Sequence, residues 1–173
     1  MTRVLVTYAS KHGGTAEIAE AIAQELGSQG LQTDCLPAGD VKSLDDYGAV
    51  VLGSAVYMKR WQPDARKLLR KHADELAGRP FWLFSSGPFG EHPDLSWAEP
   101  ARTVAAADRL GARGHVVFGG RLPLDPSGFV EKAMVRNTPD EVSDLRDWDE
   151  IRSWAQQIAR SLNATPAHTT MSS

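Results

Sequence analysis

The residues with the most chemical potential stand together near the start of the chain. Ser10, Lys11, His12, Gly13, Gly14 and Thr15 lie between a β-branched run, Val4-Leu5-Val6-Thr7-Tyr8, and the helically spaced Ala16-Glu17-Ile18-Ala19-Glu20-Ala21-Ile22-Ala23. In an α/β unit such a loop joins the carboxyl end of a strand to the amino end of a helix. Unbonded N–H groups and the positive end of the helix dipole attract anions there. Ser10 and Thr15 supply hydroxyl donors, and Gly13 and Gly14 let the backbone approach a ligand closely. The chemistry this predicts is phosphate binding. The same residue types also build ordinary turns and N-caps, so spacing alone leaves both readings open. The loop lacks the Gly-Lys-Ser/Thr ending of a Walker motif, and its adjacent glycines do not fit G-x-G-x-x-G.

The elements that must position this loop follow from periodicity. Strands are expected at Arg3–Tyr8, Leu31–Leu36, Ala49–Ser54, Phe81–Ser85 and His115–Phe118. Helical patterns fall between or after them at Thr15–Gln29, Pro63–Ala77, Trp97–Leu110 and Asp147–Leu162. In the first helix Ile18, Ala19, Ile22, Ala23 and Leu26 form an apolar stripe, with Gly30 as a C-cap. Pro63 and Asp64 mark the start of the second. Strands alternating with helices predict βαβ crossovers and a parallel sheet.

With 173 residues the chain fits one domain of ordinary size, here taken as 1–163, with a small polar tail at 164–173 that reads as disordered. A formal charge of −3 argues against a nucleic-acid surface. The single cysteine, Cys35, excludes an internal disulfide and reads as a small buried hydrophobe in the second strand. A reducing, cytoplasmic compartment is therefore expected. There is no charged leader followed by an apolar stretch and no run long enough to span a bilayer, so no transmembrane segment is expected, with peripheral membrane contact as an alternative. The five histidines, His12, His72, His92, His115 and His168, show no metal-ligand spacing, so no metal is expected.

The pattern Tyr8-x-Ser10-x-x-Gly13-x-Thr15-x-x-x-Ala19-x-x-Ile22 resembles the FMN-phosphate signature of the flavodoxin family. Thr7 departs from it, standing where the family usually has an apolar residue. Gly53-Ser54-Ala55-Val56-Tyr57 and Ser85-Ser86-Gly87-Pro88 sit where that family places its two isoalloxazine loops. Within the family, the Gly-Ser-Ala-Val-Tyr loop, Lys71-His72-Ala73 and Asp147-Trp148 most resemble the branch containing the quinone-dependent protoporphyrinogen oxidases.

The resemblance implies a flavodoxin-like doubly wound α/β fold, a five-stranded parallel sheet in the order 2-1-3-4-5 with helices on both faces, the order flavodoxin itself exemplifies. It implies FMN as cofactor, held by Ser10, Lys11, His12, Gly13, Gly14 and Thr15 at the phosphate. Ser54, Ala55, Val56 and Tyr57, with Ser86, Gly87, Pro88, Phe89 and Gly90, would border the ring. Tyr57, Trp61 and Phe89 are the candidate aromatic walls, each equally readable as an ordinary core or surface aromatic. Lys59 and Arg60 would face the crevice mouth, where they could attract an anionic substrate or partner, or simply be solvated.

The segment from Gly119 to Arg146, about 28 residues, exceeds an ordinary connection. Phe129, Val130, Ala133 and Met134 give it the pattern of a short amphipathic helix, read as a flap or as a membrane contact. It is shorter than the insertion implied for the quinone-linked branch. The activity expected is an FMN-dependent oxidoreductase working between an organic substrate and a quinone or redox-protein acceptor, with protoporphyrinogen oxidation as its narrowest form. The alternatives are an electron carrier without its own substrate, for which strong acidity would be expected, and an interaction module that has lost FMN. Catalytic residues and oligomeric state are not legible.

Overall fold

Alternation decides the architecture. In the computed structural model, which describes residues 3–10, 13–57, 60–87, 101–119, 144 and 146–164 (the side chain of Tyr57 excepted), β1 is Arg3–Ala9 and α1 is Gly14–Ser28. β2 (Gln32–Pro37) follows, then a 3-10 turn at Ala38–Asp40, β3 (Ala49–Tyr57) and a two-residue β4 (Arg60–Trp61). Next come α2 (Pro63–Lys71), α3 (Ala73–Ala77), β5 (Phe81–Ser86), α4 (Ala101–Arg109), β6 (His115–Phe118) and α5 (Trp148–Ala164).

The sheet order is β2-β1-β3-β5-β6, all parallel, with β4 added antiparallel to β3. The five predicted strands stand in the predicted order, and β4 is an addition. It arises because the chain leaving β3 turns straight back, pairing Val56 with Trp61 and Tyr57 with Arg60.

Because successive side chains of a strand point to opposite faces, each central strand feeds two cores. Val4, Val6, Val51, Trp82 and Phe84 pack with Ile18, Ile22, Leu26, Ile151 and Ile158 under α1 and α5. Leu5, Val50, Leu52, Phe81 and Leu83 pack with Trp61, Leu68, Leu69, Leu76 and Ala107 under α2–α4. Phe84, Phe118 and Trp154 meet with ring centroids 5.6 to 6.1 Å apart, two of the pairs edge-on.

The single helix expected over Pro63–Ala77 is two. His72 interrupts it with φ −107°, ψ 23°, its ring buried and its Nδ1 2.9 Å from Glu75 Oε1. That bond holds the Glu75 carboxyl below its ordinary range against the opposing effect of burial. Arg79 then fastens the end of α3, donating from Nε to Glu75 O and from its guanidinium to Leu44 O and to Tyr47 O. Gly30, at φ +92°, ends α1 as its sequence position predicts.

Candidate functional site

The connections from β1 and β3 leave to opposite faces, α1 to one core and α2 to the other, so a crevice opens at the carboxyl ends of these neighbours. Ala9 and Ser54 are register partners at its base. Ser10 and Gly13–Thr15 edge it on one side, Ser54–Tyr57 on the other.

At the first edge, Gly13 takes φ +86°, ψ −14° as the residue before α1, a conformation nearly free for glycine and costly for a side chain. Its N–H donates to Ser10 Oγ at 2.8 Å, closing the loop on itself. The serine oxygen accepts that bond and keeps its own proton for another acceptor. The first helical bond runs from Glu17 N–H to Gly13 O. The amides of Gly14, Thr15 and Ala16 thus precede the ladder. No side chain among the described residues caps them. Thr15 is 3% exposed at the same turn. An uncapped helix start, a closed loop and two hydroxyls form a donor set that fits a phosphate.

Glu17, one turn in, brings a negative charge near that set. Arg146 meets it at 3.0 Å and Asp144 at 2.7 Å, lies 4.7 Å over the Trp148 ring, and is only 5% exposed in its side chain. The bond to Asp144, then the one to Glu17, raise its already high pKa against the opposing effect of burial. The electrostatic cost of Glu17 at an anion site is thereby offset. Nothing in the sequence pairs residues so far apart, and Arg146 stands in the sequence only as the end of the long segment that begins at Gly119.

The second edge is built differently. Ser54 is fully buried, its hydroxyl donating to Ala55 O and accepting from Gln62 N–H, both at 2.8 Å. Those bonds lock the base of the β3–β4 hairpin, so the hydroxyl is occupied within the protein. Ala55 and Val56 are half-buried. Gly87 closes the side at φ +127°, its N–H bonded to Phe118 O, and a Cβ there would stand 3.4 Å from Val56 O. Ser86 is buried beside it.

Trp61, weighed as a ring wall, belongs to the core instead. It is 1% exposed in the α2-side layer, and its indole N–H donates to Ser85 Oγ at 2.8 Å. Ser85 in turn lies 3.0 Å from His115 Nε2. The antiparallel return through β4 carries Trp61 inward, which strand and helix periodicity did not reveal. Arg60 is exposed. Lys11, His12, Lys59, Pro88, Phe89, Gly90, His92 and the side chain of Tyr57 lie outside the described residues, as does the amphipathic pattern at 129–134.

Cys35 is half-buried, and burial, aided by Glu20, pushes its thiol up to about 11, so it stays protonated and unreactive near neutrality.

A family model described as a flavodoxin domain matches residues 5–144, and the chain belongs to the flavodoxin family. It is an FMN-binding, flavodoxin-like redox protein. Among curated proteins it is similar to protoporphyrinogen IX dehydrogenase [quinone] of Escherichia coli strain K12, 22% identical over 172 residues that cover 91% of this chain and 94% of that protein. Among solved structures it resembles an oxidised flavodoxin from Bacillus cereus, with TM-score 0.59 and 14% identity over 92% of this chain and 98% of the other. It also resembles rubredoxin oxygen:oxidoreductase of Desulfovibrio gigas, with TM-score 0.66 and 17% identity over 95% of this chain. The chain spans only 37% of that larger protein. No helix among the described residues is long and apolar enough to cross a membrane.

Proposed function

We propose that this chain is an FMN-dependent oxidoreductase, passing electrons between an organic substrate and a quinone-like or protein acceptor in the cytoplasm or at its membrane surface. The observation that carries the reading is the uncapped start of α1, with Ser10 and Gly13 already bonded to each other beside it. FMN, when bound, supplies the redox chemistry. The chain's own part is to hold and orient. The amides of Gly14, Thr15 and Ala16, with the Ser10 and Thr15 hydroxyls, receive a phosphate. Ala55–Tyr57 and Ser86–Gly90 border the ring and limit water there. Lys11 and His12 flank the phosphate end.

Protoporphyrinogen oxidation is the narrowest form of this proposal, supported by the near full-length likeness to the E. coli dehydrogenase. A net charge of only −3 supports turnover of a substrate over shuttling between basic partners. The test is an anaerobic assay of the purified flavoprotein with protoporphyrinogen IX and menadione, after heat release has identified the flavin. Quinone-dependent oxidation is the expected result. A flavin that exchanges electrons only with redox proteins would replace this reading with a carrier. Failure to take up FMN at all would leave an interaction module.

A further inference from the structure

On the α2–α4 side of the sheet a groove of about 420 Å³ runs between the helices, lined by the side chains of Arg66, Arg70, Arg102 and Arg109. Leu69 and Leu110 contribute to its apolar floor. The spacing brings the four together: Arg66 and Arg70 are one turn apart on α2, and Arg102 and Arg109 are two turns apart on α4. Each pair therefore shares a helix face, and both faces turn to the same groove.

Like charges at this spacing repel, and a carboxylate neighbour is the usual relief. Among the described residues none of the four has one. The ion pairs among the described residues involve Arg3, His72, Arg146 and Arg152, all elsewhere. Arg66 donates from Nε to Trp61 O, which fixes its stem and leaves its terminal N–H groups for other acceptors. Leu69 and Leu110 set apolar surface beside the four guanidinium-bearing side chains. A volume of 420 Å³ is that of a small-molecule site. Arginine is suited to bidentate capture of carboxylates and phosphates, and of the two the singly charged carboxylate is the less costly to seat beside an apolar surface. A sugar-bearing ligand would find few polar partners on the floor, whereas an apolar body would displace water from it.

We propose that the α2–α4 groove binds an apolar organic molecule carrying two or more carboxylates. The proposal is independent of flavin binding. Its test is calorimetric titration of the FMN-loaded full chain with naphthalene-2,6-dicarboxylate. Citrate serves as the charge without the apolar body, and naphthalene-2,6-dimethanol as the body without the charge. The dicarboxylate should bind with a Kd of about 0.1–1 mM and both controls about tenfold more weakly. The exposed pair Arg70→Gln and Arg102→Gln together should weaken the dicarboxylate about tenfold or more, with the flavin spectrum unchanged. Equal binding of citrate would reduce the groove to a solvated basic surface. Binding unmoved by the double substitution, or accompanied by release of FMN, would place the probe elsewhere. A concentration-dependent dimer that loses the probe site on association would make the groove an interface. Each of these outcomes overturns the proposal.

Discussion

The Phe84 ring fills the space that a Cβ on Gly53 would need: its Cζ lies 2.0 Å from that position, and Cε1 and Cε2 lie 2.2 and 2.4 Å away. The glycine opening the Gly-Ser-Ala-Val-Tyr segment is thus a packing residue of β3, register partner of Phe84 on β5. Any side chain at 53 must push a fully buried ring that also touches Phe118 and Trp154. Gly53→Ala should therefore destabilise the fold by about 1–3 kcal/mol, the usual cost of overpacking. Phe84→Leu in the same chain should recover part of that loss, a coupling read from urea unfolding of the two single variants and the double. Additive losses would mean that the ring yields freely.

Removing either hydroxyl at the start of α1 should weaken FMN. Ser10→Ala deletes the acceptor that orients Gly13 as well as a donor, and Thr15→Ala deletes a donor only. A charge-assisted bond to phosphate is worth roughly 1.5–3 kcal/mol, or about one to two decades in Kd. Titration of the apoprotein with FMN reads both. Unchanged affinity in Thr15→Ala would remove that side chain from the site, and a smaller loss in Ser10→Ala than in Thr15→Ala would argue against the orienting role.

Thr7 is fully buried in β1, and its hydroxyl has no partner among the described residues. Its register neighbours are Leu36 and Leu52. Thr7→Val keeps the shape and removes the orphaned hydroxyl, so the variant should be more stable by about 1 kcal/mol. The readout is the midpoint of chemical unfolding. A loss of stability would mean that the hydroxyl is satisfied in solution.

Alkaline pH should weaken the fold through Cys35. Its thiol rises from 9.0 to about 11 because it is buried, with Glu20 adding to the effect. The unfolded chain therefore ionises first as pH climbs past 9, and stability present below that point drains away toward 11. The slope should be at most of order 1 kcal/mol per pH unit. Tyr47, pushed up to about 12 by burial and its bond to Asp34, and Tyr8, raised chiefly by burial, add their own slopes as pH approaches and passes their ordinary value of 10. Unfolding compared at about pH 8 and pH 9.5 is weighted toward the thiol, and Cys35→Ala should be flatter over that window. A wild-type slope no steeper than that of the variant would contradict this.

The sheet was legible because its central strands are apolar on both faces and their register leaves little choice. Runs such as Val50-Val51-Leu52 and Phe81-Trp82-Leu83-Phe84 mean the same thing in sequence and in structure. The turn into α1 was legible because helix starts obey local chemistry: Gly13 and Ser10 are three residues apart. What escaped was non-local or very short. A two-residue strand has no periodicity, so β4 and the burial of Trp61 against Ser85 could not be seen. The break at His72 depends on where an imidazole finds Glu75, while Lys71 and Ala73 on either side both favour helix. The arginine spacing on α2 and α4 was there to read, but only tertiary packing sets the two rows across one groove.

The Ser10–Gly13 bond is made within the protein, between the two ends of the loop, and that has a kinetic corollary. A bond formed on folding leaves less ordering for the binding step, so a dianion at α1 should meet the Gly13 turn and the first amides of the helix in one arrangement. Association should then be limited by encounter more than by rearrangement, and small oxyanions such as inorganic phosphate or sulfate should compete for the same donors in the apoprotein. A phosphate or sulfate buffer should therefore lower the apparent affinity for the flavin.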